Sequence, residues 1–144
     1  MKPARLVKFI FAIFCLLSFS LATAADRWES PEAVNGTETI DLEQAKKMHA
    51  QGVIFIDVRS PRQYARRHIS GALNLFLNDS FTQDNLLKVA KKESPLVLYC
   101  NGINCSLSYK AAERAVSWGF TNIKYFREGI RAWSMDGNAM DFVQ

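Results

Sequence analysis

The feature that most constrains the fold is the run Leu96-Val97-Leu98-Tyr99, four apolar residues that stop at Cys100. Four residues are too few for a helix. Pro95, which cannot donate to a sheet ladder, is tolerated only at a strand's first position, so the run reads as a buried strand. The four-residue runs at 53–56, 72–75 and 123–126 also read as strands. Helical patterns fall between them. Residues 42–51 place Leu42, Ala45 and Met48 on one face, with Asp41 as N-cap and Gly52 as stop. Pro61 suits the first turn of a helix over 61–67. Residues 81–92 carry Leu86, Leu87 and Val89, and 106–118 carry Leu107, Ala111, Ala112, Ala115 and Trp118 at helical spacing. A last helix, 130–135, packs Trp133. Strand and helix alternate along the chain, which predicts an α/β fold with a mostly parallel central sheet and helices on both faces.

Open sheets of this kind bind ligands at the carboxyl ends of their strands, and Cys100 stands at such an end. The loop Asn101-Gly102-Ile103-Asn104-Cys105-Ser106 follows and leads into the N-terminus of the 106–118 helix. Amides there have no helical partners and carry the positive end of the macrodipole, so the sequence predicts a stabilised Cys100 thiolate with a lowered pKa. A buried structural cysteine is the plain alternative. Asp57 and Arg59 emerge from the 53–56 strand at the same edge.

The 100–106 segment resembles the active-site loop of the rhodanese family. The stretch from Phe55-Ile56-Asp57-Val58-Arg59-Ser60-Pro61-Arg62-Gln63-Tyr64 to His68-Ile69-Ser70-Gly71-Ala72-Leu73-Asn74 resembles that family's "DVR…EY…GHIPGAxN" signature. Gly119-Phe120-Thr121-Asn122-Ile123, followed by Glu128-Gly129-Ile130-Arg131-Ala132-Trp133, resembles its closing "GF…V…GGIxAW". The chain departs from the pattern at Gln63 (usually Glu), Arg67 (Gly), Ser70 (Pro) and Glu128 (Gly), and at Cys105, where members often carry Arg.

The resemblance implies a rhodanese-like fold and a sulfurtransferase. Cys100 would take a sulfane sulfur from a donor such as thiosulfate and hold it as a persulfide. It would then pass the sulfur to a thiophilic acceptor such as cyanide or a thiol, a protein thiol included. The loop amides from Asn101 to Ser106 would cradle the persulfide, with no cofactor and no metal. Asp57 and Arg59 would support the loop, Arg59 being also a candidate to attract an anionic donor. His68 reads as a packed, hydrogen-bonded residue, and His49 as a solvent-facing one. A phosphatase on a related fold needs an Arg six residues after the cysteine to clamp phosphate, and position 106 is Ser. Two alternatives remain. One is a thiol–disulfide redox protein using Cys100 and Cys105. The other is a non-catalytic rhodanese binding module, against which Cys100 itself argues. A loop curled around one sulfur also brings its ends near the separation a disulfide needs, which makes Cys105 a possible resolving thiol.

Lys2, Arg5 and Lys8 precede an apolar run over 9–21 that ends in Ala22-Thr23-Ala24, the pattern of a signal peptide over 1–24. A leader over 25–38 and a rhodanese domain over 39–144 complete the organisation. Without residues 1–24, fifteen Lys and Arg face fourteen Asp and Glu, so nothing argues for nucleic acid or a membrane surface as partner. Arg66, Arg67, Lys91 and Lys92 read as solvated faces. Secretion across the inner membrane, to a periplasmic location, is the expectation. Only Cys100 and Cys105 would then remain, too few for a disulfide scaffold.

Overall fold

The computed structural model describes residues 27–144; the predicted signal segment lies outside them. The elements run in the order β1 (Thr37–Thr39), α1 (Leu42–Ala50), β2 (Ile54–Asp57), α2 (Pro61–Arg66), β3 (His68–Ile69), β4 (Leu73–Asn74), α3 (Gln83–Val89), β5 (Leu96–Tyr99), α4 (Leu107–Ser117), β6 (Ile123–Phe126), α5 (Gly129–Met135) and β7 (Met140–Asp141). Five strands form one sheet in the order β1-β6-β5-β2-β4, and every pairing in it is parallel. The α/β fold with a mostly parallel sheet is therefore present as expected. β5 is the central strand, and all four of its residues are buried.

The sheet carries one apolar core on each face, because successive side chains of a strand point to opposite sides. Leu96 and Leu98 join Ile56, Leu86 of α3 and Ala111, Ala112 and Ala115 of α4. Val97 and Tyr99 join Phe55, Ala45 of α1, and Ile130 and Trp133 of α5. The register aligns Asp57, Tyr99 and Phe126 across the three middle strands. Val58–Arg59, Cys100–Asn101 and Arg127–Glu128 consequently leave the sheet side by side, and the functional edge is built from these exits.

Local chemistry sets the helix starts. Asp41 and Gln44 form a reciprocal capping box at α1, and Ser60 and Gln63 form another at α2, where Pro61 occupies the first turn. Such caps are worth about 1 kcal/mol each. Gln63 thus does the capping work open to the family's usual Glu, which explains why that departure leaves the fold intact. α3 is shorter than its 81–92 pattern: the Thr82 hydroxyl accepts the Asn85 amide and fixes the start, while Ala90 turns extended and ends it.

Two features differ from the sequence reading. β3 and β7 pair antiparallel, closing the chain's end over the domain. Asp141 there accepts from the Ser70 hydroxyl at 2.9 Å and the Gly71 amide at 3.0 Å. His49 is not solvent-facing: its Nε2 lies 2.7 Å from the Ser70 carbonyl oxygen, and its ring packs edge-on against Phe55 and Trp133. The apolar underside of an imidazole makes this half-buried place favourable where a lysine would have to extend past it. Of the segment before β1, Val34 reaches the core and the Ser30 amide donates to the Ile103 carbonyl at 2.7 Å, tying the chain's entry to the Cys100 loop. Among the described residues no helix is long and apolar enough to cross a membrane.

Candidate active site

Cys100 follows β5 directly and is fully buried. Two elements hold the loop after it. The first two amides past Gly129 in α5 donate backward, Ile130 to the Cys100 carbonyl at 3.0 Å and Arg131 to the Asn101 carbonyl at 3.1 Å. This approach requires Gly129. Its φ of +59° is disfavoured for other residues, and a Cβ there would stand 2.4 Å from the Cys100 carbonyl oxygen. From the other side, the Asn104 side-chain amide donates to the Trp28 carbonyl at 2.8 Å. Inside the loop, the Cys105 amide donates to the Gly102 carbonyl at 2.9 Å, closing a tight turn that returns Cys105 toward Cys100.

Asp57 and Arg59 form a buried pair of the kind expected for support. The Arg59 guanidinium donates to both Asp57 carboxylate oxygens, with Nε 2.9 Å from Oδ1 and Nη2 2.6 Å from Oδ2. It also reaches the Arg67 carbonyl at 2.8 Å and the Asn101 side-chain oxygen at 3.3 Å. Paired in this way, it positions the first loop residue from below. His68 is packed as predicted, its ring stacked on Tyr64 at 3.7 Å and its Nδ1 2.9 Å from the Tyr64 carbonyl oxygen.

The sulfurs are arranged differently from the prediction. Cys100 Sγ lies 3.1 Å from the Ser108 hydroxyl and 3.6 Å from the Cys105 carbonyl oxygen. α4 has no side-chain cap, so its first amides are free for the sulfurs. The helix N-terminus therefore faces the loop as expected, but it meets two sulfurs: Ser108 in its first turn lies against Cys100, and Cys105 stands just before it.

The bond from Cys100, reinforced by the Leu107 and Asn101 amides, lowers the Cys105 pKa to about 6. Donation to Cys105, together with burial, pushes the Cys100 thiol well above its usual range. The predicted lowering at Cys100 is thus corrected: burial and the neighbouring sulfur push the Cys100 thiol up, and the thiol that is lowered is Cys105, the less buried of the two. Both cysteines are free thiols.

Above the loop is an open cavity of ≈ 320 Å³, lined by Asn101 to Ser106 and by Arg131 of α5. Cys105 contributes to its wall; Cys100 lies beneath. Among the described residues no carboxylate sits within salt-bridge distance of Arg131. The loop has Cys105 where Arg is common, so the cation at this mouth comes from α5 instead. Sequence reasoning missed Ser108 and Arg131. The available signal for Ser108 was a hydroxyl three and four residues before Ala111 and Ala112 on the buried stripe; Arg131 had none beyond its position in the closing motif. Among the described residues no three His, Cys, Asp or Glu side chains gather to hold a metal ion.

A thiol ending the central parallel strand, wrapped by a six-residue loop and facing a helix N-terminus, defines an α/β domain built around a cysteine. The family model described as Rhodanese-like domain matches residues 41–136, and the chain belongs to that family. It is 35% identical over 94 residues to the thiosulfate sulfurtransferase GlpE of Pseudomonas fluorescens, covering 65% of this chain and 82% of that one. Its fold is similar to that of the BH2092 protein from Bacillus halodurans, with a TM-score of 0.65 at 25% identity over 73% of this chain and 77% of that one. It is also similar to the Rhodanese-like domain of the Alr3790 protein from Anabaena, with a TM-score of 0.63 at 22% identity over 73% and 79%.

Proposed function

We propose that the protein is a sulfurtransferase that carries a sulfane sulfur on Cys100 as a persulfide. The observation that carries the reading is the place of Cys100: at the end of the central strand, beneath the 101–106 loop and at 3.1 Å from Ser108 at a helix N-terminus. Family membership and the similarity to GlpE support the general activity. Thiosulfate fits the site as donor. It is a dianion, and Arg131 offers an unpaired guanidinium at the mouth.

Cys105, the neighbouring thiol of lowered pKa, takes the proton as Cys100 attacks the outer sulfur of the donor. The Cys100–sulfur bond forms, the sulfur–sulfur bond of thiosulfate breaks, and sulfite leaves with the electron pair. Ser108 and the α4 amides stabilise the charge on the inner sulfur. Asp57 and Arg59 act as positioning residues through Asn101. A thiol or cyanide then removes the outer sulfur.

The proposal includes export: residues 1–24 act as a signal peptide and the mature enzyme works in the periplasm. N-terminal sequencing of the mature protein is expected to start near residue 25 or 26; full-length protein retained in membranes would overturn that part. The activity is tested by following sulfite release from thiosulfate with cyanide or a dithiol as acceptor. Wild type is expected to turn over and Cys100→Ser to be silent; equal rates in the two would end the assignment.

A further inference from the structure

The second sulfur of the site is left without a role by the reaction above. We propose that Cys105 resolves the Cys100 persulfide, attacking its inner sulfur to form a Cys100–Cys105 disulfide and to release hydrosulfide, so that the acceptor proper to this enzyme is a dithiol reductant. The inference rests on the persulfide reading of Cys100.

Four observations carry it. The turn from Gly102 to Cys105 brings the second cysteine back to the first, with the Cys105 carbonyl oxygen 3.6 Å from Cys100 Sγ, so the attacking residue is adjacent to its target. Cys105 stands immediately before the uncapped N-terminus of α4, whose first amides are the ones a persulfide's outer sulfur would use. Outer sulfur and Cys105 must therefore share one cradle. Cys100 is fully buried, whereas Cys105 forms part of the cavity wall, so any acceptor from solvent has to pass Cys105 to reach the persulfide. Finally, the turn from Gly102 to Cys105 and the anchors to α5 and Ser30 hold the loop in this shape. A nucleophile held in place competes with a dissolved one at an effective concentration far above that of any free acceptor.

The steps balance without an outside oxidant. Cys100 thiol, Cys105 thiolate and thiosulfate give the disulfide, one hydrosulfide and one sulfite. The proton that leaves Cys100 for Cys105 in the first step departs on the outer sulfur in the second. The two thiols are oxidised to the disulfide, and the sulfane sulfur is reduced to hydrosulfide. A dithiol reductant then reopens the disulfide by two exchanges and is itself oxidised.

The test loads wild type and Cys105→Ser with sodium thiosulfate without air, removes the excess, and measures released sulfide and alkylatable thiols by mass. Wild type is expected to release about one sulfide per chain, to lose both thiols, and to regain them with dithiothreitol. Cys105→Ser, which loads more slowly because Cys105 is not there to take the proton, is expected, once loaded, to keep its sulfur on Cys100 until dithiothreitol is added. Equal persulfide lifetimes in the two chains, with Cys105 of the wild type still alkylated, would overturn the inference and leave the sulfurtransferase reading standing. No sulfur on Cys100 in either chain, from thiosulfate or from sodium polysulfide, would remove both. An independent check is a redox titration of unloaded wild type against dithiothreitol. It is expected to show a two-electron Cys100–Cys105 disulfide, and its failure to form at any potential would refute the resolving role even if the variant folds poorly.

Discussion

Replacing Gly129 by Ala tests how the loop is held. An alanine at φ near +60° costs about 1–2 kcal/mol wherever it occurs. At Gly52, where φ is +75° and an added Cβ meets nothing within 4 Å, that is the whole expected effect. At Gly129 the Cβ would stand 2.4 Å from the Cys100 carbonyl oxygen and 3.0 Å from the Gly102 amide nitrogen. Both are backbone atoms and cannot swing aside as a side chain would. The loop must separate from α5, breaking the bonds from Ile130 to Cys100 and from Arg131 to Asn101. Two such bonds are worth about 0.5–1.5 kcal/mol each, and the buried Cys100 carbonyl adds a desolvation cost if it finds no new partner. Gly129→Ala is therefore expected to be about 2–4 kcal/mol less stable than Gly52→Ala by urea unfolding. It should also lose sulfur uptake at Cys100, while Gly52→Ala keeps it. Equal stability of the two variants, with uptake intact in both, would refute the claim that α5 holds the loop through Gly129.

Two further outcomes follow from the charges at the mouth. Alkylation of Cys105 in resting protein should fall off only as pH drops below about 6, because its depressed pKa keeps it ionised above that value, and Cys100→Ala should move the half-point upward by removing the donor; a half-point in the ordinary thiol range for wild type would contradict the shared-proton arrangement. Arg131→Gln should raise KM for thiosulfate by up to about fivefold with kcat nearly unchanged, the difference shrinking as salt is added; an unchanged KM at low salt would remove Arg131 from donor capture.

The central part of the fold was legible because single residues bound it. β5 and β6 have the limits predicted, Pro95 and Cys100 closing one apolar run, and Asp41 caps α1 and Pro61 opens α2 where their chemistry requires. The β3–β7 pair was not legible: two residues on each side, some seventy apart in the chain, leave no periodicity to detect. His49 was misplaced because its neighbours Lys46 and Lys47 marked a polar face, whereas the imidazole lies over Phe55 and Trp133. At the site, the strand-end argument located Cys100, and Asp57 and Arg59 stand beneath its loop as expected. The argument failed on the proton. A helix N-terminus was taken to act on one sulfur, but the turn at Gly102 brings a second one to the same helix end, and it is that less buried thiol whose pKa is lowered.

The most direct test of the account is the mass of the Cys100 peptide after thiosulfate treatment, taken in the Cys105→Ser chain, where the persulfide is expected to persist. The account predicts the addition of one sulfur atom on Cys100, removed by a dithiol and absent from the chain that also carries Cys100→Ser. Sulfur found on the doubly substituted chain, or no added sulfur on Cys100 in a folded protein that binds the donor, would contradict it.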